Sequence, residues 1–140
     1  MSSLAVRPGI MDITPYVGGK SAVDGIERVI RLASNEGALG PSPNAVAAYG
    51  DVAASLHRYP DGTSADLCQA LGRHHGLDAA RIVCGAGSDE LIALLCRAYA
   101  GPGDVVLHSA HGFLMYPIAA RAVGATPVAA PETELTANVD

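Results

Sequence analysis

The segment 81–92, Arg-Ile-Val-Cys-Gly-Ala-Gly-Ser-Asp-Glu-Leu-Ile, constrains the fold more than any other part of the chain. A short apolar run ends in a glycine turn, and the turn leads into apolar residues at helical spacing, which predicts a strand, a loop and a helix start. The first turn of a helix carries unpaired N–H groups and the positive end of the helix dipole, so it binds phosphate well. The pattern alone fits either an anion site or a purely structural corner.

Two known phosphate motifs do not match this turn. No Lys follows the glycines, as a Walker loop requires, and Glu90 and Leu91 occupy the places of the later glycines in G-x-G-x-x-G. A nucleotide-binding methyltransferase would place an acidic residue at the end of the next strand to bind a ribose. Residues 105–109 supply none, which argues against that class.

Strand and helix patterns alternate through the second half of the chain. We predict strands at 81–84, 105–107 and 126–130, with helices at 91–100 and 113–123 between them. Short loops between alternating elements indicate βαβ units, and therefore a parallel sheet covered on both faces. Pro127 predicts an edge position or an irregular start for the last strand. The fold class is therefore α/β, with a sheet that looks incomplete.

The first half of the chain is less regular. Residues up to about 28 read as an extended arm, and 29–32 is a short strand candidate. Ser42 followed by Pro43 predicts a helix start, and Ser64 is expected to cap a second helix that Gly76 ends. A buried stripe at i, i+3, i+4, i+7 spacing is predicted for this second helix, formed by Leu67, Ala70, Leu71 and His74.

Composition narrows the class of protein. The chain has 140 residues, 49% of them hydrophobic, and a net charge of -5 without a Lys/Arg run, which argues against nucleic acid as a partner. No apolar run is long enough to span a membrane, and no secretory signal is visible. Three cysteines without a C-x-x-C pair suggest buried thiols in a cytoplasmic protein, and the five histidines show no metal-ligand spacing, so no metal site is expected.

Four patches together resemble the histidinol-phosphate aminotransferase family of fold-type I pyridoxal-phosphate (PLP) enzymes. They are Ile-Thr-Pro-Tyr at 13–16, Leu-Ala-Ser-Asn-Glu with Leu-Gly-Pro-Ser-Pro within 32–43, His-Arg-Tyr-Pro-Asp-Gly at 57–62, and the glycine turn at 85–92. The resemblance implies PLP-dependent transamination between glutamate and imidazole-acetol phosphate, giving 2-oxoglutarate and histidinol phosphate in histidine biosynthesis. It also implies a cytoplasmic homodimer with a small-molecule substrate.

The resemblance assigns cofactor-binding residues. Gly87, Ser88 and Asp89 match the turn that binds the PLP phosphate, and we expect the Asp89 side chain to cap its helix as well. Phe113 matches the aromatic residue that stacks on the PLP ring. Tyr59 matches a tyrosine that reaches the phosphate in the neighbouring subunit of the homodimer.

The resemblance also assigns two substrate-binding residues, Tyr16 and Asn35. The lysine that bonds PLP in the family lies beyond the residue matching Asp140, and Lys20, the only lysine here, does not match it. No residue that performs the proton transfer is therefore expected in this chain. We interpret it as an N-terminal fragment, inactive alone, with an arm and first strand at 1–33 and the first part of the PLP-binding large domain at 34–140.

The sequence is also compatible with functions other than histidinol-phosphate transamination. Residues 37–38 and 108–112 depart from the usual family pattern beside the site, which affects the substrate more than the cofactor. Another fold-type I aminotransferase, for example one for aromatic amino acids, or an enzyme like threonine-phosphate decarboxylase fits the same patches. A truncated PLP- or partner-binding module without catalysis is an alternative of a different class.

Overall fold

The computed structural model describes residues 5–18, 24–27, 29, 37 and 39–138. It divides into two compact units: one holds the chain up to Tyr16 and from Asp66 onward, and the other is Val17–Ala65. Its helices and strands are α1 (Pro43–Val52), α2 (Ala65–His75), α3 (Gly87–Tyr99), β1 (Val105–Ser109), α4 (Met115–Val123), β2 (Thr126–Ala130), β3 (Glu132–Thr133) and β4 (Thr136–Ala137). Three short 3₁₀ turns occur at Ile10–Asp12, Ala53–Ser55 and Ala79–Arg81.

The centre of the larger unit is a βαβ unit. Strands β1 and β2 pair in parallel, with Val105 opposite Thr126 and Ser109 opposite Ala130. Helix α4 connects them and packs on both strands, while α3 packs on α4. This arrangement confirms the predicted strand–helix–strand order and the parallel pairing. A parallel pair requires a crossover connection of this kind, which α4 provides.

The sheet is covered on one face, and the prediction of cover on both faces is wrong for the described residues. The buried apolar residues cluster on the helical side: Cys96 in α3, Ala119 and Ala120 in α4, and Ala125 after α4. Val105, Leu107 and Val128 share the opposite face through strand alternation and register, and all three are exposed. In the described part of the chain, α4 is the helix that packs on both strands, so one face remains open.

The segment predicted as a strand at 81–84 is not one. Arg81 closes a 3₁₀ turn, and Ile82 begins an extended stretch that pairs with no described strand. An apolar, β-branched run indicates extended backbone, but a strand also needs a neighbour to supply its hydrogen bonds. Here the Ile82 carbonyl instead lies 3.5 Å from the Cys68 thiol of α2.

The buried stripe of α2 also differs from the prediction. Cys68 and Gly72 are buried, Leu71 is half-buried, and Leu67, Ala70 and His74 are exposed. The segment after α2 folds back against Gly72, where an added Cβ would lie 2.8 Å from the Leu77 carbonyl oxygen. The stripe is shifted because a nearby turn, rather than another helix face, provides the packing partner.

Most predicted helix ends are confirmed. Pro43 is in the first turn of α1 after Ser42 at the N-cap. Gly76 and Gly124 follow α2 and α4 with φ of 68° and 85°, the left-handed backbone that ends helices at glycine. Helix α4 begins at Met115, two residues later than predicted, which leaves Phe113 in the preceding loop.

A short hairpin, β3 paired antiparallel with β4, was not predicted. Glu134 and Leu135 form the turn between the strands, and both have positive φ, which residues other than glycine rarely adopt. Because neither residue is glycine or asparagine, the sequence carries no signal for this turn. The predicted strand at 29–32 and the predicted domain boundary at 33/34 fall mainly outside the described residues and stay predictions. No helix in the described ranges is long and apolar enough to cross a membrane.

Candidate functional site

The glycine turn before α3 is tightly folded by its own backbone. The Gly87 N–H donates to the Gly85 carbonyl at 2.8 Å, and Gly87 has φ of 84°, which an L side chain rarely adopts. A Cβ at Gly85 would lie 2.8 Å from Glu90 Oε2 and 3.0 Å from Leu91 Cδ2. Both glycines are therefore required: Gly87 for its backbone conformation and Gly85 for close packing against the helix.

Glu90 stabilises this turn from inside the helix. Its Oε2 accepts the Ala86 N–H at 2.6 Å, so the carboxylate satisfies a backbone donor just ahead of the first turn. The prediction that the Asp89 side chain caps the helix is wrong, because the N-cap position is Ala86 and the carboxylate that accepts its N–H belongs to Glu90. Asp89 still lies in the first turn, where negative charge interacts favourably with the helix dipole.

The turn leaves donors available to a ligand. Gly87 and Ala86 have used their N–H groups within the protein, whereas the next residues of the first turn have no acceptor inside the helix. Ser88 and Asp89 are exposed, and Ser88 adds a hydroxyl. The two remaining N–H groups, those of Ser88 and Asp89, together with a hydroxyl suit a phosphate monoester.

An aromatic cluster forms at the carboxyl end of β1. The Phe113 ring contacts Tyr16 with a centroid distance of 6.0 Å and Tyr116 at 6.1 Å, both edge to face. Phe113 is 37% exposed, so part of its ring surface is available to a ligand. The structure therefore brings together Tyr16 and Phe113, predicted separately to contact substrate and cofactor.

The loop that carries Phe113 is held in place from the hairpin. Glu132, whose side chain is 6% exposed, accepts the His111 N–H at 3.0 Å through Oε1, and its Oε2 lies 2.7 Å from His111 Nδ1. The His111 N–H, the His111 ring and the Ser109 hydroxyl together hold the pKa of Glu132 below its ordinary value. Gly112 closes the loop, since a Cβ there would lie 2.6 Å from Ser109 Oγ.

Tyr59 lies in the other unit and is fully exposed. The loop behind it is ordered by Asp61, whose carboxylate accepts the N–H groups of Ala65 and Thr63 and the Thr63 hydroxyl. These donors, the Ala65 N–H first, lower the pKa of Asp61. Asp61 therefore supplies the acceptor at the start of α2, where the sequence predicts capping by Ser64. Asn35 lies outside the described residues.

Sequence reasoning missed the two glutamates that hold the site. Glu132 is 21 residues from His111, and no local pattern indicates such a contact. Glu90 gave a usable signal, because a carboxylate in the first turn often reaches back to the N-cap region. No cluster of three or more metal-ligating side chains occurs among the described residues.

Comparisons with known proteins identify the family of this chain. The model of the family "Aminotransferase class I and II" matches residues 27–140. Histidinol-phosphate aminotransferase from Paramagnetospirillum magneticum is 68% identical over the whole chain, which covers 39% of that protein. The enzyme of the same name from Rhodospirillum rubrum is 65% identical over 96% of this chain and 36% of its own length.

A solved structure is also similar: histidinol-phosphate aminotransferase from Sinorhizobium meliloti in complex with pyridoxal-5'-phosphate. It has a TM-score of 0.68 and 31% identity, covering 72% of this chain and 28% of that one. The predicted fold class, the first part of a fold-type I large domain, is confirmed. The chain spans about two fifths of the length of the curated relatives it matches. It belongs to the aminotransferase class I and II family.

Proposed function

We propose that this chain is the N-terminal portion of a cytoplasmic histidinol-phosphate aminotransferase that uses PLP. The observation that carries the proposal is the exposed glycine turn at 87–88, which is followed by N–H groups without an acceptor inside the helix, in a chain 68% identical to an enzyme of that name. The reaction would move an amino group between glutamate and imidazole-acetol phosphate.

The residues present fit PLP. The open N–H groups after Gly87 and the Ser88 hydroxyl match the acceptor oxygens of a phosphate monoester. A Cβ at Gly87 would meet nothing within 4 Å, so the space at the turn is open to a ligand. The partly exposed Phe113 ring offers a flat apolar surface suited to a pyridine ring.

PLP supplies an electron sink that stabilises the carbanion formed at the substrate α-carbon. The residues of this chain bind and orient rather than move protons. Ser88 and the backbone after Gly87 would hold the phosphate, while Phe113 would fix the ring and exclude water from one face. Glu132 holds the Phe113 loop through His111, so that this aromatic surface is rigid before binding.

Tyr16 would contribute to the substrate side of the site. It touches the Phe113 ring, and it is half exposed, so its hydroxyl can reach a bound molecule. Asn35 is proposed to join it, as the family resemblance implies.

Substrate choice is tested with the full-length protein. We expect transamination with histidinol phosphate as amino donor and 2-oxoglutarate as acceptor, with a kcat/KM well above that for phenylalanine or tyrosine. A preference for the aromatic amino acids would assign another aminotransferase. Release of carbon dioxide from threonine phosphate would assign a decarboxylase, and PLP binding without turnover of any of these would indicate a non-catalytic module.

We propose further that the active enzyme is a homodimer in which Tyr59 serves the partner's site. Tyr59 is fully exposed on the loop that Asp61 orders, so its phenol can be presented outward at small entropic cost. Two-fold symmetry would create the contact twice.

Hybrid dimers test this arrangement. Tyr59→Phe subunits are mixed with subunits that lack the catalytic lysine. Each hybrid should contain one site without either group and one intact site, so the activity per hybrid dimer should rise toward half of the wild-type value. If verified subunit exchange gives only the average of the two parents, Tyr59 does not act across the interface.

A further inference from the structure

Two thiols lie side by side, one on α2 and one directly before the glycine turn. Cys68 Sγ of α2 and Cys84 Sγ of the extended segment are 3.6 Å apart. Cys68 is 8% exposed, and Cys84 is half-buried. The contact joins residues 16 positions apart in the sequence, and the segment that carries Cys84 ends directly at Gly85.

The geometry points to a redox-modification site: we propose that Cys84 and Cys68 form a dithiol that a hydroperoxide converts to an intramolecular disulfide. A disulfide has an S–S length of about 2.05 Å, so the sulfurs must approach by about 1.5 Å. The third cysteine, Cys96, is buried in α3.

The two sulfurs can come together through movement of the segment that carries Cys84. On the α2 side, Gly72 is packed against the Leu77 carbonyl and the Ala79 nitrogen, which holds the helix in position. The extended segment that carries Cys84 is not fixed by pairing with any strand in the described ranges. A displacement of 1–2 Å is therefore taken up by this segment at lower cost than by the helix.

The chemistry balances in two steps. The more exposed Cys84, as thiolate, attacks one peroxide oxygen; the O–O bond breaks, Cys84 becomes a sulfenic acid, and the departing hydroxide takes a proton to form water. The Cys68 thiolate then attacks the Cys84 sulfur, the S–S bond forms, the S–O bond breaks and a second water leaves. Overall, two thiols and hydrogen peroxide give one disulfide and two waters, and an added dithiol reverses the change.

Oxidation should affect the neighbouring turn. Cys84 is separated from Ser88 only by Gly85, Ala86 and Gly87, so drawing it toward α2 displaces the donors of the turn. This consequence rests on the proposed function of the turn as the PLP phosphate site. Retention of PLP is expected to fall several-fold on oxidation and to recover on reduction.

The test treats the full-length native protein with hydrogen peroxide, blocks remaining thiols with an alkylating agent and digests it with trypsin. We expect peptides 59–73 and 82–97 to be linked, with fragment ions placing the bond at Cys84 rather than Cys96. The Cys96→Ser variant should give the same link, and Cys84→Ser should give none. In Cys68→Ser, Cys84 should stop at a sulfenic acid that a cyclic 1,3-dione traps.

The outcomes separate this inference from the proposed function, because the link is detected on peptides and its formation does not require that the protein bind PLP. Absence of the link in wild type and Cys96→Ser, or a link through Cys96, would overturn the dithiol site. A link that forms normally in a protein that never binds PLP would contradict the proposed function and leave the dithiol site standing. A link with unchanged PLP retention would overturn the coupling to the turn.

Discussion

Gly72 provides the sharpest test of how α2 is packed. In Gly72→Ala, the new Cβ would lie 2.8 Å from the Leu77 carbonyl oxygen and 3.3 Å from the Ala79 nitrogen. Both atoms belong to the backbone of a turn that the Leu77 N–H closes on the Gly72 carbonyl at 3.0 Å, so neither moves easily. Overpacking costs about 1–3 kcal/mol. Alanine in place of a helical glycine returns about 0.5–1 kcal/mol.

The clash should therefore win, with a net loss of about 1 kcal/mol in the free energy of local opening. Gly50→Ala is the matched control, because Gly50 is also helical, in α1, and a Cβ there meets nothing within 4 Å. The control should gain about 0.5–1 kcal/mol through helix propensity alone.

Amide hydrogen exchange measures both changes locally, which suits a chain of two units. Under conditions where exchange reports the opening equilibrium, the Leu77 amide should exchange about fivefold faster in Gly72→Ala. The amides of α1 should exchange more slowly in Gly50→Ala. If Gly72→Ala slows exchange as its control does, the turn does not press on α2 and the packing argument fails.

Three further predictions concern the site and its supports. Ser88→Glu should weaken PLP binding to the full-length enzyme by about 1.5–3 kcal/mol for the lost hydrogen bond to a charged group, and by more through repulsion of the phosphate. Equilibrium dialysis measures the affinity, and Ser88→Ala separates the lost hydrogen bond from the added repulsion. Equal affinity in all three proteins would make the turn a structural corner. The pKa of Glu132 is lowered in the folded state, so the loop contact contributes fully above the ordinary value of 4.5 and is lost as pH falls through the lower folded value, which carboxyl NMR should show. His111→Ala should raise this pKa only part of the way, because the backbone N–H at position 111 is the larger cause and remains; an unchanged pKa would contradict the contact with the ring. Asp61→Ala should speed amide exchange at Ala65, while Asp51→Ala, an exposed change in α1, should not; equal rates would show that Asp61 does not support the start of α2.

Features decided by neighbouring residues were predictable from the sequence. Pro43 after Ser42 marks the start of α1, and Gly76 and Gly124 end their helices, because each effect depends on the backbone of a few adjacent residues. The parallel β1–β2 pair followed from an apolar run, a helix and a second run, an order that has few folded solutions.

Features decided by distant partners were not predictable. Periodicity shows which residues of α2 could be buried, but the turn at Leu77–Ala79 determines that Cys68 and Gly72 are. The extended segment at 82–84 has the composition of a strand without a described neighbour. In the candidate site, the turn residues were found through their local pattern and the family resemblance. The support from Glu132 depends on a contact 21 residues away.

Pro127 decides on which side the parallel pair can grow. The Thr126 N–H donates to the Asp104 carbonyl, and the Ala130 carbonyl accepts from the Ala110 N–H, so these alternate residues of β2 face β1. Pro127 therefore directs its nitrogen, which has no hydrogen, toward the outer side of β2. A strand from another molecule that approached this outer side would find no backbone N–H at position 127. One proline thus weakens pairing on this side of the sheet at a single position, which makes unintended association with another molecule less favourable there.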